Sequence, residues 1–311
     1  MSRSPATLLA TLALLLSAAA PGSQAAEPTV VLVTQDLATL HRVQGSYSYS
    51  RSFYQPYYSD TASMLGVAIG TAIGEQHLAI VAQKKHNETL LPLTETLGDK
   101  GLRSIVRLAI NEALAENEMD VRSLAFFAES KADERMLKRM KVPREASRFV
   151  FVENGRFANG VMMMPLAMPP HLRQLRLSVD IEVREGKPDR SRRVAKRDIV
   201  YFSTPSALED EGQLLEALAS DEHAALRKEV GDAFREAISL AISDREFPDV
   251  SRDDRIGAMG AAGLSEFNGV LLEHTEGRAL IWTRGESLVS VPAERVITGA
   301  ELDAARESVA P

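Results

Sequence analysis

Residues 175–183, Leu-Arg-Leu-Ser-Val-Asp-Ile-Glu-Val (LRLSVDIEV), alternate apolar and polar side chains without a break. Successive side chains of a strand point to opposite faces, so Leu175, Leu177, Val179, Ile181 and Val183 share one face. The loop Glu185-Gly186-Lys187-Pro188-Asp189 and a second β-rich run, Asp198–Ser203 (DIVYFS), follow, and together they predict an antiparallel pair. Helical periods lie on both sides of it. From Asp99 to about Asn117, the residues Leu102, Ile105, Val106, Ala109, Ile110, Ala113 and Leu114 recur at i, i+3, i+4, i+7. After the pair, Ser220 reads as the cap of a long helix whose apolar stripe is Leu226, Val230, Ala233, Phe234, Ala237, Ile238, Ala241 and Ile242. With the β-branched run Thr29–Thr34 ahead of them, these elements predict an α+β fold. Its sheet is mixed or antiparallel, flanked by amphipathic helices and followed by a small three-stranded β unit.

Further elements are read outward from this centre. Arg148–Val152 and Gly160–Met164 read as strands around Asn154-Gly155 and Asn159-Gly160 turns. Lys131 to Lys141 reads as a helix with Ser130 as its N-cap. Ser206 with Glu209 has the spacing of a capping box for a helix over Leu208–Leu218, and Pro92 makes Asn87–Gly98 read as a break. Residues 26–248 are expected to form the α+β domain and residues 249–265 a linker. Residues 266–311 are expected to hold the short strands Asn268–His274, Arg278–Thr283 and Ser287–Val291, then a terminal helix capped by Thr298 and Glu301.

Composition narrows the function. The chain has 311 residues, 45% of them apolar, which suits a packed core. Its 43 acidic residues exceed its 36 basic ones, and the net charge of −7 argues against a nucleic-acid binder with a dominant basic face. Cysteine is absent, which excludes disulfides, thiol nucleophiles, thiolate metal sites and an acylated N-terminal cysteine. Residues 1–25 have the form of a cleaved signal peptide: Arg3, the apolar run Leu8–Ala20, the breakers Pro21 and Gly22, then Ser23-Gln24-Ala25 as a small-x-small cleavage site. That run is too short to span a bilayer, so a periplasmic or secreted product without a transmembrane span is expected.

Three groups of residues are candidates for contact or chemistry. Tyr47, Tyr49, Tyr54, Tyr57 and Tyr58 cluster in a serine-rich stretch, as an aromatic platform for a partner or as the cover of a core edge. Gly66, Gly70 and Gly74 fall four apart and on a helix line one groove, where another backbone approaches closely within the core, in self-association or at a membrane surface. Met162, Met164, Met168 and His171 offer soft ligands for monovalent copper, against the commoner use of methionine as core filler. The basic residues Arg184, Lys187, Arg190, Arg192, Arg193, Lys196 and Arg197 offer contacts for lipid phosphates, against the stronger reading as a solvated hairpin tip.

Motifs for nucleophilic hydrolysis, zinc proteolysis, nucleotide binding and dinucleotide binding are missing from the sequence, and the six histidines have no metal-ligand spacing. The helix–hairpin–helix run from Asp99 to Ile242 resembles the layout of small bacterial envelope lipoproteins of the YajG kind. Together with the signal peptide and the glycine-rich helix, it is similar to uncharacterised exported proteins of Gram-negative bacteria. The likeness rests on element order over about half the chain and carries over no functional residue; the chain also lacks the cysteine that a lipoprotein acylates. The reading preferred from the sequence as a whole is an exported envelope protein with a non-catalytic binding or assembly role, a protein partner or self-association, and no cofactor. The alternatives are a periplasmic hydrolase-like enzyme with an unfamiliar site and a copper-handling protein. Expressed from its full sequence in a Gram-negative host, the chain is expected to yield a product that begins at Ala26, read by intact mass. A cytosolic product that retains residues 1–25 would overturn the export reading.

Overall fold

A computed structural model describes residues 28–34, 37, 40–42, 88–98, 101–127, 143, 145–154, 157–158, 161–162, 166–168, 172–187, 190–243, 245–261, 263–274 and 277–309. Their elements run β1 (Pro28–Thr34), β2 (His41–Arg42), α1 (residues 88–98), α2 (residues 101–116), β3 (Asp120–Phe127) and β4 (Arg148–Asn154). Then come β5 (Phe157–Ala158), β6 (Val161–Met162), β7 (Leu166–Met168), β8 (Arg176–Glu185), β9 (Arg192–Phe202), α3 (Glu211–Ala219) and α4 (Ala224–Ile242). Last are β10 (Arg255–Gly260), β11 (Gly263–His274), β12 (Arg278–Thr283), β13 (Ser287–Pro292), β14 (Val296–Thr298) and α5 (Gly299–Val309).

The fold is α+β around a mixed sheet of order β14-β10-β11-β12-β13-β9-β8-β4-β1-β3, with β7 also paired to β8 and β2 to β7. β1 runs parallel to β3 and β4, and β13 runs parallel to β9. β8 is antiparallel to both β4 and β9. The alternation of residues 175–183 sets the middle of this sheet: Leu177, Val179 and Ile181 are wholly buried, and Leu175 and Val183 nearly so. They join one core with α1, α2, α3 and α4, to which Val106, Ile110, Phe234 and Ile238 contribute. The opposite face carries two smaller apolar clusters, one around Leu32, Phe149 and Phe151 and one around Val200, Ile281 and Val289.

The helices are held by specific ends and neighbours. In α2 the chain stops where Glu118 turns left-handed at φ 55°. There the Asn117 side chain donates to Ala113 O at 2.7 Å and reaches Ser239 Oγ on α4 at 3.1 Å. Arg235 of α4 bonds Glu116 at 2.8 Å, so the two helices lie side by side on one face of the sheet. Among the described residues no helix is long and apolar enough to cross a membrane.

Several local readings change. Residues 88–98 are helical despite Pro92, because Leu90 and Leu93 bury fully and Leu97 packs on the same core; that burial outweighs one lost backbone bond. The cap of α3 is Asp210, whose Oδ1 accepts from Gln213 N at 2.9 Å, whereas Ser206 spends its hydroxyl on Leu208 N in the preceding loop. Ser220 closes α3 instead of opening α4, and α4 starts only at Ala224. Part of the stretch read as a linker is strand: β10 pairs with β11 and β14. The helix expected over Lys131–Lys141 lies outside the described residues.

The three C-terminal strands form antiparallel pairs as expected, and β13 joins them to the central sheet through its parallel register with β9, Ser287↔Asp198 to Ser290↔Tyr201. Phe247 stacks on Trp282 with centroids 4.2 Å apart, and Arg197 lies 4.9 Å from the Phe247 ring, which pins residues 245–250 along the sheet. Glycine matters most at Gly269 of β11, where an added Cβ would lie 2.5 Å from the Trp282 carbonyl oxygen. Gly269→Ala is expected to lower the denaturant midpoint by an amount worth about 1–3 kcal/mol. Gly277→Ala, which meets nothing within 4 Å, should stay within about 0.5 kcal/mol of the parent. Equal effects of the two substitutions would count against this packing.

Candidate functional site

Two cavities lie beside α4, on the face of the sheet that the helices cover. The walls of the first include the segments just before β8 and just after β9, where side-chain alternation hands over to loops; the second is lined by α4, β11 and β12 residues with Arg245. The chain enters β8 through Leu172, which is buried with a left-handed φ of 52°. Such a conformation costs a branched residue about 1 kcal/mol or more and persists only where its surroundings hold it.

A polar clip supplies that hold. Gln174 is buried; its Nε2 donates to Ser203 O at 2.8 Å and its Oε1 accepts from Ala261 N at 3.2 Å. Ser203 N donates to Leu175 O, and Ser203 Oγ accepts from Leu175 N, both at 2.9 Å. Arg173 and Ser206 exchange bonds in the same way, Ser206 N to Arg173 O at 2.6 Å and Arg173 Nε to Ser206 O at 2.9 Å.

Beside this clip a cavity of about 210 Å³ opens between the loops, α3 and the first turns of α4. Leu172, Leu175, Leu214, Leu218 and Leu226 make its apolar wall. Glu229 stands at one side, in hydrogen-bond contact with Ser203. Burial pushes the Glu229 carboxyl above its ordinary value; the Ser203 contact and the Lys228 and Arg278 charges pull it back in part, and Asp232 raises it again. Glu229 makes no ion pair among the described residues. Asp221, Glu222 and His223, between α3 and α4, have φ of 47°, 53° and 66°, so three successive non-glycine residues are left-handed where the outer wall of the cavity meets its inner one.

The neighbouring polar residues are consumed by one another. Arg278 of β12 donates through Nη1 to Phe202 O at 2.8 Å and through Nη2 to Ser290 Oγ at 2.6 Å, and it pairs with Glu236 of α4 at 3.1 Å. Its guanidinium also lies 4.2 Å from the centre of the Tyr201 ring. Ser290 donates in turn to Glu236. Burial pushes the Tyr201 phenol far above its ordinary value, more than Arg278 lowers it, so this phenol stays protonated. The network ties α4 to β9, β12 and β13. A second cavity of about 150 Å³ adjoins it, where Arg245 and Glu273 pair at 2.6 Å. Of the acids that line these two cavities, Glu229 alone forms no ion pair among the described residues.

Tyr47, Tyr49, Tyr54, Tyr57, Tyr58, Gly66, Gly70, Gly74, Met164 and His171 lie outside the described residues. Met162 pairs with Phe157 in a separate two-stranded sheet, and Met168 pairs with Arg42 in the main one. Sequence reading passed over Glu229 and Glu236. Their seven-residue spacing on one side of the α4 stripe was the available signal, but it equally fits a solvated helix face. No protein-family model matches the chain, and no curated protein is similar to it.

A carboxyl whose value is raised on folding contributes its full stability below its ordinary value of 4.5, and that stability is lost as pH rises through the folded value. Glu229→Gln removes this loss. Its melting temperature relative to the parent is expected to rise between about pH 4 and about pH 8. Glu216→Gln, an exposed change of the same charge on α3, is the control. Parallel curves for the two variants would contradict the burial of Glu229.

Proposed function

We propose that this chain is an exported, non-catalytic binding protein of the bacterial cell envelope, and that the cavity beside Glu229 is where a protein partner inserts a side chain. The observation that carries this is the pairing of a leucine-lined recess with a half-buried carboxyl that forms no ion pair among the described residues. At about 210 Å³ the recess is smaller than the roughly 300–1,000 Å³ of ordinary small-molecule sites, which suits one inserted side chain better than a whole substrate. Its walls hang on a clip of satisfied hydrogen bonds and on an α4 anchored by Arg278 and Glu236, and a pre-formed recess of this kind lowers the cost of binding.

The signal-like residues 1–25 support export, and the helix–hairpin–helix resemblance to YajG-like envelope proteins agrees with it. The tyrosines of residues 47–58 and the glycines Gly66, Gly70 and Gly74 are proposed as further contact surfaces, the latter for self-association.

The test is a comparison of variants in the periplasmic extract of the native host. Partners cross-linked to the parent chain should be lost with Ala217→Phe, which narrows the recess from α3, and retained with Glu216→Gln. An identical set of partners for Ala217→Phe and the parent would remove the recess from the proposal. A product confined to the cytosol would remove the export.

A further inference from the structure

We infer that the recess beside Glu229 recognises an alkylammonium group, the side chain of an exposed lysine on the partner protein; this rests on the binding role proposed above. A lysine side chain has two chemically distinct parts, a four-carbon stem that gains from apolar contact and a compact cationic head that needs a polar partner. The recess presents the same two parts in the same order. Leu214, Leu218 and Leu226 offer the stem an apolar wall, and Glu229 offers the head a carboxylate.

The charge complement is specific to this acid. Glu236 is held by Arg278 and Ser290, Asp232 by Lys228 and Arg235, and Glu273 by Arg245. Glu229 forms no ion pair among the described residues; burial, the largest effect, works against its ionised form, while Ser203 and the charges of Lys228 and Arg278 offset that only in part. An ammonium placed against it would restore the balance that burial removes, because an opposite charge at contact favours the charged carboxylate. Arg173, the cation in the lining, directs its Nε to Ser206 O and faces Glu209 across 3.8 Å, so it does not fill this role. The ammonium of lysine fits better than the guanidinium of arginine, since a single carboxylate beside one hydroxyl in a narrow recess suits a small point charge more than a planar fork.

Calorimetric titration of the folded chain with N-acetyl-lysine-N-methylamide, repeated across a range of pH, tests this directly. Saturable one-to-one binding is expected, weakened about tenfold or more when N-acetyl-norleucine-N-methylamide replaces it, because that probe keeps the stem and loses the charge. Glu229→Gln should weaken the lysine probe to the level of the norleucine probe while leaving the latter unchanged. This variant relieves a burial penalty, and a thermal melt checks that it folds. Ala217→Phe should weaken both probes together, and Glu216→Gln neither.

If the two probes bind equally, or if Glu229→Gln leaves lysine binding intact, the ammonium specificity is overturned while the recess survives as a contact site. Binding of neither probe overturns this inference. The broader binding reading then stands or falls on the cross-linking comparison of Ala217→Phe with the parent.

Discussion

Burial of one helix on two strands organises this molecule. The α4 stripe of Leu226, Val230, Ala233, Phe234, Ala237 and Ile238 is removed from solvent almost completely, and it lies against Leu177, Val179, Ile181 and Ile199 in the same core. Each large side chain buried in this way is worth about 1.5–3 kcal/mol, so the contact between α4 and the β8–β9 pair dominates any single polar bond in the fold. Everything else is positioned from it: α2 lies beside α4 through Glu116–Arg235, and α3 folds back on it through Leu214 and Leu218.

The polar residues around α4 divide by what they are free to do. Arg278 spends its guanidinium on a backbone carbonyl, a hydroxyl, a carboxylate and an aromatic face. A group so fully engaged orients its neighbours and is not available for chemistry. Partner for partner, buried charges are tolerated only when satisfied in this way. Glu229 of α4, two turns before the Glu236 that Arg278 engages, is the contrast: half-buried, supported by one hydroxyl, and open to a recess.

Backbone strain gathers at the same place. Leu172 and the run Asp221–His223 are left-handed without being glycine, and both border the walls of the recess. The bonds between Gln174, Leu175 and Ser203, with the caps at Asp210 and Ser220, hold these conformations. A recess whose strained walls are held by folded-state bonds is pre-organised, because the cost of its shape is met by folding and not by the ligand.

Periodicity alone determined the centre of the fold. The alternation of residues 175–183 and the stripes over 102–114 and 226–242 appear in the structure as buried faces, since period and burial are the same physical fact seen along one element. Tertiary structure decided the rest. Pro92 sits in a helix because Leu90 and Leu93 bury, and Arg255–Gly260 is a strand because β11 and β14 supply its bonds. Asp210 displaced Ser206 as a cap because a hydroxyl with two nearby amides serves whichever the folded chain brings to it. The recess depends on contacts between residues far apart in sequence: Ser203 meets Leu175, and Glu229 meets both the clip and the leucines of α3. Glutamates on a helix are common, and only the chain folded around it makes Glu229 differ from the other carboxylates in energy.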